Sequence, residues 1–257
     1  MKRESRHKAI MDLLVAAGSV DLEDLARRFD VSRMTVHRDL DELEGSGLLR
    51  KIRGGATIEP GTQFESNFHF RERQGVAAKV AIAQAALGHV EPGMTVIIND
   101  GSTAAVLGKL LAELRPLTVI TNNAAVIDGL TGLVGITLMS LGGTFSKKYN
   151  GFFGKLTEDA LHGLRANVSF ISSPAVSGTE VFHMDETVTR TKRAMMAAAA
   201  QSVLLINHAR MEAQALHKFA DLNEFADIVT DAPPPVSVSE ALELAGLPLT
   251  VGGIQEH

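Results

Sequence analysis

The sequence predicts a two-domain α/β protein, with a small domain of helices and one hairpin in front of a larger domain built on a wound parallel sheet. Three observations support this fold class. The chain has 257 residues, which exceeds the ~100 to 200 residues of one usual domain. Apolar residues recur at helical spacing over residues 5–45. From Val76 onward, strand-like and helix-like segments alternate.

The first domain begins with three predicted helices. The first covers residues 5–17 and stops at Gly18, a residue type that ends helices. Asp21 is the predicted N-cap of the second helix and Ser32 that of the third. The apolar residues that recur at helical spacing, and are therefore predicted to face one core, are Ile10, Leu13, Leu14, Ala17, Leu22, Leu25, Ala26, Phe29, Val36, Leu40 and Leu43.

The second and third helices are joined by a break of a few residues around Asp30 and Val31. Two short helices so joined, the second opening with a small polar cap, are typical of a helix-turn-helix. The second of the pair places its N-terminal end in the major groove of DNA. The residues so placed to touch bases or phosphates are Ser32, Arg33, Thr35, His37 and Arg38.

The segment 48–58 follows, with an apolar and basic pattern around Gly54-Gly55 that predicts two short strands and a wing. No acidic residue lies between Gly45 and Thr57. A basic wing suits contact with phosphates, so the predicted interface also includes Arg50, Lys51, Arg53 and Gly54. The alternative is a plain helical bundle in which these charges only form a solvated face.

Charge and composition limit the classes of partner and of chemistry that the chain can have. The net charge is −5, but residues 1–60 hold eleven Lys and Arg against eleven Asp and Glu, which leaves fourteen against nineteen in the rest. Residues 1–60 are thus neutral overall, and the acidic excess lies in residues 61–257. There is no cysteine, which excludes disulfides and thiolate chemistry. No stretch resembles a signal peptide or a membrane span, so we expect a cytoplasmic protein.

The larger domain is predicted to start after a turn-rich stretch at residues 59–63. We expect domains at residues 1–58 and 76–257, with a linker at 59–75. Ligands of wound parallel sheets bind at the carboxyl ends of the strands. The predicted strands are Thr95–Ile98, Leu117–Thr121, Ile136–Ser140, Val168–Ile171, Val203–Ile206 and Ile228–Thr230. The predicted helices are Val76–Leu87, Ala104–Leu114, Ala124–Leu130, Thr157–Leu164 and Val188–Ala200.

The loop after the first strand of this domain, Asn99 to Thr103, has the composition of a phosphate cradle. It combines glycine, two hydroxyls and free backbone N–H groups at a helix N-terminus. Ser and Thr are also ordinary helix caps, which is the alternative for this loop. Asp100 opposes an anion, so we expect it to hold sugar hydroxyls or brace the turn. Other candidates at strand ends are Thr121, Asn122, Gly142, Gly143, Glu186 and Arg210.

Two sets of motifs carry a family resemblance. In the first domain these are Val31-Ser32, Thr35 to Leu40 and Arg53-Gly54-Gly55-Ala56, and in the second Lys79, Asp100 to Thr103, Leu117 to Asn122, Gly142-Gly143, Gly154 and Glu186. The chain resembles the DeoR family of bacterial repressors along nearly its whole length. That resemblance implies a C-terminal sensor similar in fold to sugar-phosphate isomerases.

The resemblance also implies roles. Gly101, Ser102 and Thr103 would bind phosphate, while Thr121, Asn122 and Glu186 would line the sugar pocket. The chain departs from the family at His37 and Arg53, which bears on operator preference. It also has Asn99 where the family has Asp, and Asn207 and Arg210 where the family has an Asp-x-x-Lys pair. These last departures bear on which effector fits and on whether sensing is retained.

The expected partners are double-stranded operator DNA with an inverted repeat, a small phosphorylated sugar, and further copies of the chain in a dimer or tetramer. One helix-turn-helix reads only a half-site, which is why copies are required. We expect no cofactor, no metal and no catalytic residue. The rival hypothesis is an isomerase-like enzyme with Asp185 or Glu186 as its acid–base group. The sequence does not decide between repression and activation.

Overall fold

The computed structural model describes residues 2–45, 48–57 and 67–253, with the backbone alone for residues 15 and 16. The chain divides into two compact units, Met1–Arg73 and Gln74–His257. The linker predicted at residues 59–75 lies outside the described residues over positions 59–66 and stays a prediction. Its described part contains a short helix, Phe68–Arg73.

The first unit contains the three predicted helices and a small antiparallel sheet. Its elements are α1 Arg3–Ala17, β1 Ser19–Asp21, α2 Leu22–Phe29, α3 Arg33–Gly45, β2 Arg50–Ile52, β3 Gly55–Thr57 and α4 Phe68–Arg73. The strand order is β1-β3-β2. Asp21 caps α2 as predicted, since its carboxylate accepts from the N–H groups of Glu23 and Asp24.

One cluster of apolar side chains forms the core of this unit. Ile10, Leu14, Leu25, Val36 and Leu40 are all buried in it, which confirms the helical stripes that predicted them. Burial of a Leu or Ile side chain contributes about 1.5–3 kcal/mol, so these contacts hold α1, α2 and α3 together.

The wing differs from its prediction in two details. Strand β1 was not predicted, and the turn falls on Arg53 and Gly54 because Gly55 already belongs to β3. A Cβ atom on Gly55 would lie 2.0 Å from the carbonyl oxygen of Val20 in β1. The second glycine is therefore required by the close approach of β1 to β3.

The second unit is built on a seven-stranded parallel sheet. Its helices are α5 Val76–Ala86, α6 Ser102–Leu110, α7 Ala124–Leu130, α8 Lys155–His162, α9 Glu186–Ala197 and α10 Val236–Leu244. Its strands are β4 Thr95–Ile98, β5 Leu117–Thr121, β6 Ile136–Ser140, β7 Thr144–Ser146, β8 Gly151–Phe153, β9 Ala166–Ser172, β10 Ala175–Ser177, β11 Glu180–His183, β12 Ala199–Leu205, β13 His217–Asp221, β14 Asp227–Thr230 and β15 Leu249–Val251.

The order of the large sheet is β15-β14-β12-β9-β4-β5-β6, and each neighbouring pair is parallel. The central strands are buried apolar runs such as Val96-Ile97-Ile98, as expected for a parallel sheet. The α/β architecture predicted from the sequence is confirmed. Because β9, β4 and β5 are neighbours, the loops that follow them meet at one edge of the sheet.

The predicted boundary between the helix α9 and the strand β12 is wrong. The helix predicted at Val188–Ala200 ends at Ala197, and β12 begins at Ala199. The chain turns at Ala198, whose carbonyl accepts a hydrogen bond from the N–H of Ala166 in β9. A run of Ala and Met carries no periodicity that separates a buried helix from a buried strand.

Several short elements of this unit were not predicted. They are the antiparallel hairpin β7–β8, the small antiparallel sheet β10-β11-β13 and the final pair α10 and β15. The hairpin occupies the region between Gly143 and Gly154. The strands β7, β8, β10 and β15 have three residues each, which is too short to display the alternation that identifies a strand.

Candidate functional site

The N-terminal end of α3 presents the predicted DNA-reading residues to solvent. Ser32 caps this helix, since its Oγ accepts from the N–H of Thr35 at 3.1 Å, and the two hydroxyls lie 2.9 Å apart. Arg33, His37 and Arg38 are exposed. The helix-turn-helix therefore exposes one polar helix end, of the kind that enters a major groove.

One exposed residue of this helix was not among the predicted DNA-binding residues. Met34 has 63% of its surface exposed and lies on the same helical face as His37, Arg38 and Asp41, at spacings of three, four and seven. Apolar side chains on such a face contact the methyl group of thymine. The signal was present in the sequence, because Met34 falls outside the apolar stripe that predicted the core.

The predicted basic residues divide into paired and unpaired ones. Arg33 Nη2 lies 2.9 Å from Glu23 Oε1, and Lys51 pairs with Asp41 of α3. Within the described part of the chain, Arg38, Arg50 and Arg53 have no ion-pair partner and are exposed. These three side chains are therefore free to meet phosphates without first breaking a contact.

A buried ion pair ties α3 to α1. Arg6 donates to the Asp39 carboxylate, and His7 Nε2 lies 2.9 Å from Asp39 Oδ1. Burial of the Asp39 carboxyl opposes ionisation, but the hydrogen bonds from Arg6 and His7 outweigh it and hold its pKa below the ordinary value of 3.8. Asp39 therefore stays ionised in the folded protein at neutral pH.

In the second unit, the loop after β4 is buried at the predicted edge of the sheet. Asn99 and Asp100 are at most 1% exposed, and Ser102 begins α6. A Cβ atom on Gly101 would lie 1.7 Å from Ser172 Oγ, so only glycine fits there. In the described part of the chain the hydroxyls of Ser102 and Thr103 have no protein partner, which leaves them available at the N-terminus of α6.

Asparagine side chains hold the three loops together. Asn99 Oδ1 accepts from the N–H and Oγ of Ser172, after β9, at 3.1 and 3.2 Å. Asn123, after β5, donates from Nδ2 to the carbonyl oxygens of Asn99 and Gly101 at 3.0 and 3.2 Å. Thr121 Oγ1 donates to Ile98 O at 2.7 Å. Asn99 thus has a structural role, because its side chain joins the loop after β4 to the loop after β9.

A buried lysine that the prediction did not single out lies beside this loop. Lys192 of α9 is 1% exposed, and its ammonium donates to Ser172 O at 2.6 Å and lies 3.8 Å from Asp100 Oδ1. The ammonium also lies 5.8 Å from the centre of the Phe219 ring. Because a buried charge requires a partner, the Lys192 ammonium offsets the negative charge of Asp100.

The hairpin β7–β8 covers the end of β5. Asn122 donates from Nδ2 to Phe152 O at 2.9 Å, and the N–H of Phe152 donates to Asn122 O at 2.9 Å. Tyr149, in the turn of the hairpin, is 3% exposed. The predicted pocket residues Thr121 and Asn122 therefore lie beneath an ordered segment of chain.

The other predicted effector residues take part in none of the contacts described above. Glu186, in the first turn of α9, has 69% of its side chain exposed and lies 4.0 Å from Arg190. Gly142 accepts from Thr157 Oγ1 at 2.6 Å, next to Gly143 at the start of the hairpin. Arg210 ends a short 3₁₀ turn after β12. Their place in an effector site stays a prediction.

At the end of β12 a histidine and an aspartate form a close pair. His208 Nδ1 lies 2.8 Å from Asp231 Oδ2, and the backbone N–H of His208 donates to Asp231 Oδ1 at 2.8 Å. Among residues 2–45, 48–57 and 67–253, no three metal-ligating side chains are grouped as a metal site requires. The helices in these same ranges are all too short or too polar to cross a bilayer.

Two family models match the chain. Residues 6–60 match the DeoR-like helix-turn-helix domain, and residues 74–232, more than half of the chain, match the DeoR C terminal sensor domain. The two matches together include the exposed end of α3, the wing and the buried loops at the sheet edge.

Similar proteins cover nearly the whole chain. The glycerol-3-phosphate regulon repressor of Escherichia coli (strain K12) is 28% identical over 94% of this chain and 96% of its own. The L-fucose operon activator of Haemophilus influenzae is 29% identical over 93% and 96%. A solved ribose 5-phosphate isomerase A from Methanocaldococcus jannaschii covers 52% of this chain and 53% of its own, with 18% identity and a TM-score of 0.38.

Proposed function

Because the chain belongs to the DeoR family of transcriptional regulators, we propose that it represses a carbohydrate operon and leaves its operator when a phosphorylated sugar binds. The first unit binds DNA and the second binds the sugar phosphate. Because its proposed partner is DNA, we propose that the protein acts in the cytoplasm.

The exposed face of α3 is the observation that carries the DNA-binding half. Met34, His37 and Arg38 share that face, and the unpaired cations Arg50 and Arg53 lie on the wing. Side chains on a recognition helix read base edges, while wing cations contact phosphates and position the protein. Lys51 and Arg33 would contact DNA only after leaving Asp41 and Glu23.

The loop between β4 and α6 supports the effector half. Ser102 and Thr103 offer free hydroxyls, and the backbone N–H groups at the start of α6 favour an anion. Lys192 offsets the charge of Asp100, so the Asp100 carboxylate would accept hydrogen bonds from sugar hydroxyls without repelling the phosphate. We place Gly101, Ser102 and Thr103 at the phosphate and Asp100, Thr121 and Asn122 at the sugar.

Release requires that the effector favour one arrangement of the assembled chains over another. We propose a homodimer or tetramer that binds an inverted repeat, with half-sites about one DNA turn apart. The effector shifts the population toward an arrangement in which the paired helices no longer match the half-sites. A monomer at micromolar concentration, free and on DNA, would contradict this assembly.

The first experiment is fluorescence anisotropy of labelled DNA from the gene's own upstream region across a salt series. Sequence-selective, salt-sensitive binding that one sugar phosphate weakens is the expected result. Selective binding that no sugar phosphate alters would support the proposed DNA binding and contradict the proposed effector binding. Equal affinity for this DNA and for random duplex would show that this DNA does not contain the operator. In vitro transcription on the same DNA distinguishes repression from activation.

The protein is proposed to act by binding and to have no catalytic residue. Glu186, the acid–base candidate of the enzyme hypothesis, is exposed and paired with Arg190, and Asp185 caps α9. Neither arrangement favours proton transfer at a sugar carbon. Turnover of a sugar phosphate by the purified protein, abolished by Glu186→Gln, would reverse this conclusion.

A further inference from the structure

The hairpin β7–β8 is flanked by glycines whose backbone is in the left-handed region. Gly143 has φ +138° and Gly154 has φ +99°, which glycine adopts without steric cost. Segments that move as a unit turn about a few residues at their ends, and those residues absorb the change in backbone angles. Residues 144–153 therefore have a candidate hinge at each end.

Backbone and asparagine hydrogen bonds join the hairpin to the effector edge, and Tyr149 and Phe153 pack in a small buried cluster with Val188 of α9. Asn122 exchanges two with Phe152, one from its side chain and one to its backbone. The N–H of Ala124 donates to Asn150 O at 2.9 Å. A Cβ atom on Gly151 would lie 3.4 Å from Asp100 Cβ, so the hairpin backbone lies directly against the loop after β4.

The side chains beneath the hairpin are closed to solvent. Asp100, Thr121 and Asn122 are at most 1% exposed, so a ligand cannot reach them in this arrangement. In addition, Asn122 Oδ1 is buried and has no hydrogen-bond donor among the described residues. A buried acceptor left unpaired is unfavourable, and a ligand hydroxyl in this position would satisfy it.

The charge of the hairpin suits an anionic ligand. Its turn carries Lys147 and Lys148, and there is no acidic residue between Leu141 and Gly154. Among the described residues neither lysine has an ion-pair partner, and the Lys148 ammonium lies 5.1 Å from the centre of the Tyr149 ring. A segment past which a phosphorylated compound must enter would carry this sign of charge, because opposite charges attract.

We propose that the hairpin Thr144–Phe153 is a gate over the effector site and that Asn122 is its latch. In the free protein the Asn122 amide group donates to Phe152 O. When the effector enters, the gate opens and the Asn122 side chain exchanges that bond for hydrogen bonds to the ligand. This inference rests on the proposed function of the same sheet edge as the effector site.

The chain contains its own reporter for this gate. Tyr149 is its single tyrosine, and there is no tryptophan, so tyrosine fluorescence of the full-length protein comes from the gate alone. The Tyr149 ring is buried beside His183 and Phe153, at centroid distances of 5.5 and 5.8 Å. Quenching of Tyr149 by acrylamide therefore measures opening, and amide hydrogen exchange at Phe152 and Ala124 measures it independently.

The first arm of the test uses no ligand. Asn122→Ala removes the latch, and we expect exchange at the Phe152 amide to rise by up to about tenfold, with stronger quenching of Tyr149. The matched control is Asn167→Ala, which removes an asparagine side chain that accepts from Thr95 N–H; it should leave both readouts unchanged. The gate would be overturned if hydrogen exchange at the Phe152 amide and quenching of Tyr149 in Asn122→Ala equal the wild-type values.

The second arm uses wild-type protein with inorganic phosphate, glycerol 3-phosphate, fructose 1-phosphate and glucose 6-phosphate, with binding measured by calorimetry. A change in Tyr149 emission that has the same midpoint concentration as the calorimetric titration supports the gate. Binding with no change at Tyr149 or in Phe152 exchange overturns the gate and keeps the effector site. If no probe binds, the proposed function loses its support, and the ligand-free arm alone decides the gate.

Discussion

Arg6 in α1 holds the carboxylate of Asp39 in α3 by two hydrogen bonds, from Nε to Oδ2 at 2.5 Å and from Nη2 to Oδ1 at 2.9 Å. The two residues are 33 positions apart in sequence, and both side chains are less than a tenth exposed. A two-bond contact between arginine and a carboxylate fixes orientation as well as adding energy. This pair therefore positions the DNA-reading helix against α1.

We expect Asp39→Ala to lower the free energy of unfolding of the first unit by roughly 3–5 kcal/mol, because it leaves the Arg6 charge buried without its carboxylate. Hydrogen exchange in α1 and α3 of the full chain, measured against urea, gives this value. The control is Asp41→Ala, which removes an exposed carboxylate on the same helix and should cost less than about 1 kcal/mol. Equal costs for the two variants would show that burial of the pair is unimportant.

The same pair predicts a pH dependence. Because the folded-state pKa of Asp39 is below its ordinary value of 3.8, its contribution to stability is complete above the unfolded-state pKa. That contribution is lost as the pH falls through the lower folded-state pKa. We therefore expect the stability difference between wild type and Asp39→Ala to be constant near neutral pH and to shrink below about pH 4. A difference that grows on acidification would contradict the assigned sign.

The parts of the fold that depend on local pattern could be predicted from the sequence. Val96 to Ile98 and Leu117 to Thr121 are buried apolar runs that only a strand accommodates at that length. The hairpin around Tyr149 could not be predicted, because its strands have three residues each and its position depends on the loop after β5.

The place of the candidate site residues in the fold was predictable to a similar extent, and their role in binding an effector stays a prediction. Glycine, hydroxyl and amide residues at the ends of predicted strands placed the loop Asp100–Thr103 and the pair Thr121 and Asn122 at one edge of the sheet, where the structure also has them. The contact of Lys192 with Asp100 was not predictable, because it joins residues far apart in sequence. In its own helix Lys192 stands among Arg190, Thr191 and Arg193, where a charge is most simply solvated.

The wing gives a prediction for DNA binding. Arg53→Ala should weaken binding to all duplexes alike and lower the slope of log affinity against log salt by about 0.9, the value for one phosphate contact. Salt-series anisotropy measures both quantities. Lys8→Ala, which removes an exposed cation from α1, is the control and should leave the slope unchanged. An unchanged slope in Arg53→Ala would exclude Arg53 from the phosphate contacts.

A steric prediction follows from Gly101. A Cβ there would lie 1.7 Å from Ser172 Oγ, so Gly101→Ala should cost about 1–3 kcal/mol of stability and weaken binding of any sugar phosphate that the wild type binds. Ser172→Gly in the same chain removes the obstructing hydroxyl and should recover part of the stability. Thermal unfolding of the two variants measures this. The steric reason fails if Gly101→Ala unfolds at the wild-type temperature.

The buried pair of Lys192 and Asp100 is best tested by a double-mutant cycle. Lys192→Met removes the ammonium that lies 3.8 Å from Asp100 Oδ1 and leaves the Asp100 charge buried, which should cost about 3–5 kcal/mol. Asp100→Asn with Lys192→Met removes both charges, and it should be more stable than Lys192→Met alone because no unpaired charge remains. Urea unfolding of the wild type, both single variants and the double variant gives the coupling energy, which we expect to be about 0.5–3 kcal/mol. Additive costs, with no coupling, would mean that Lys192 stabilises the fold through contacts other than the one to Asp100, such as its bond to Ser172 O.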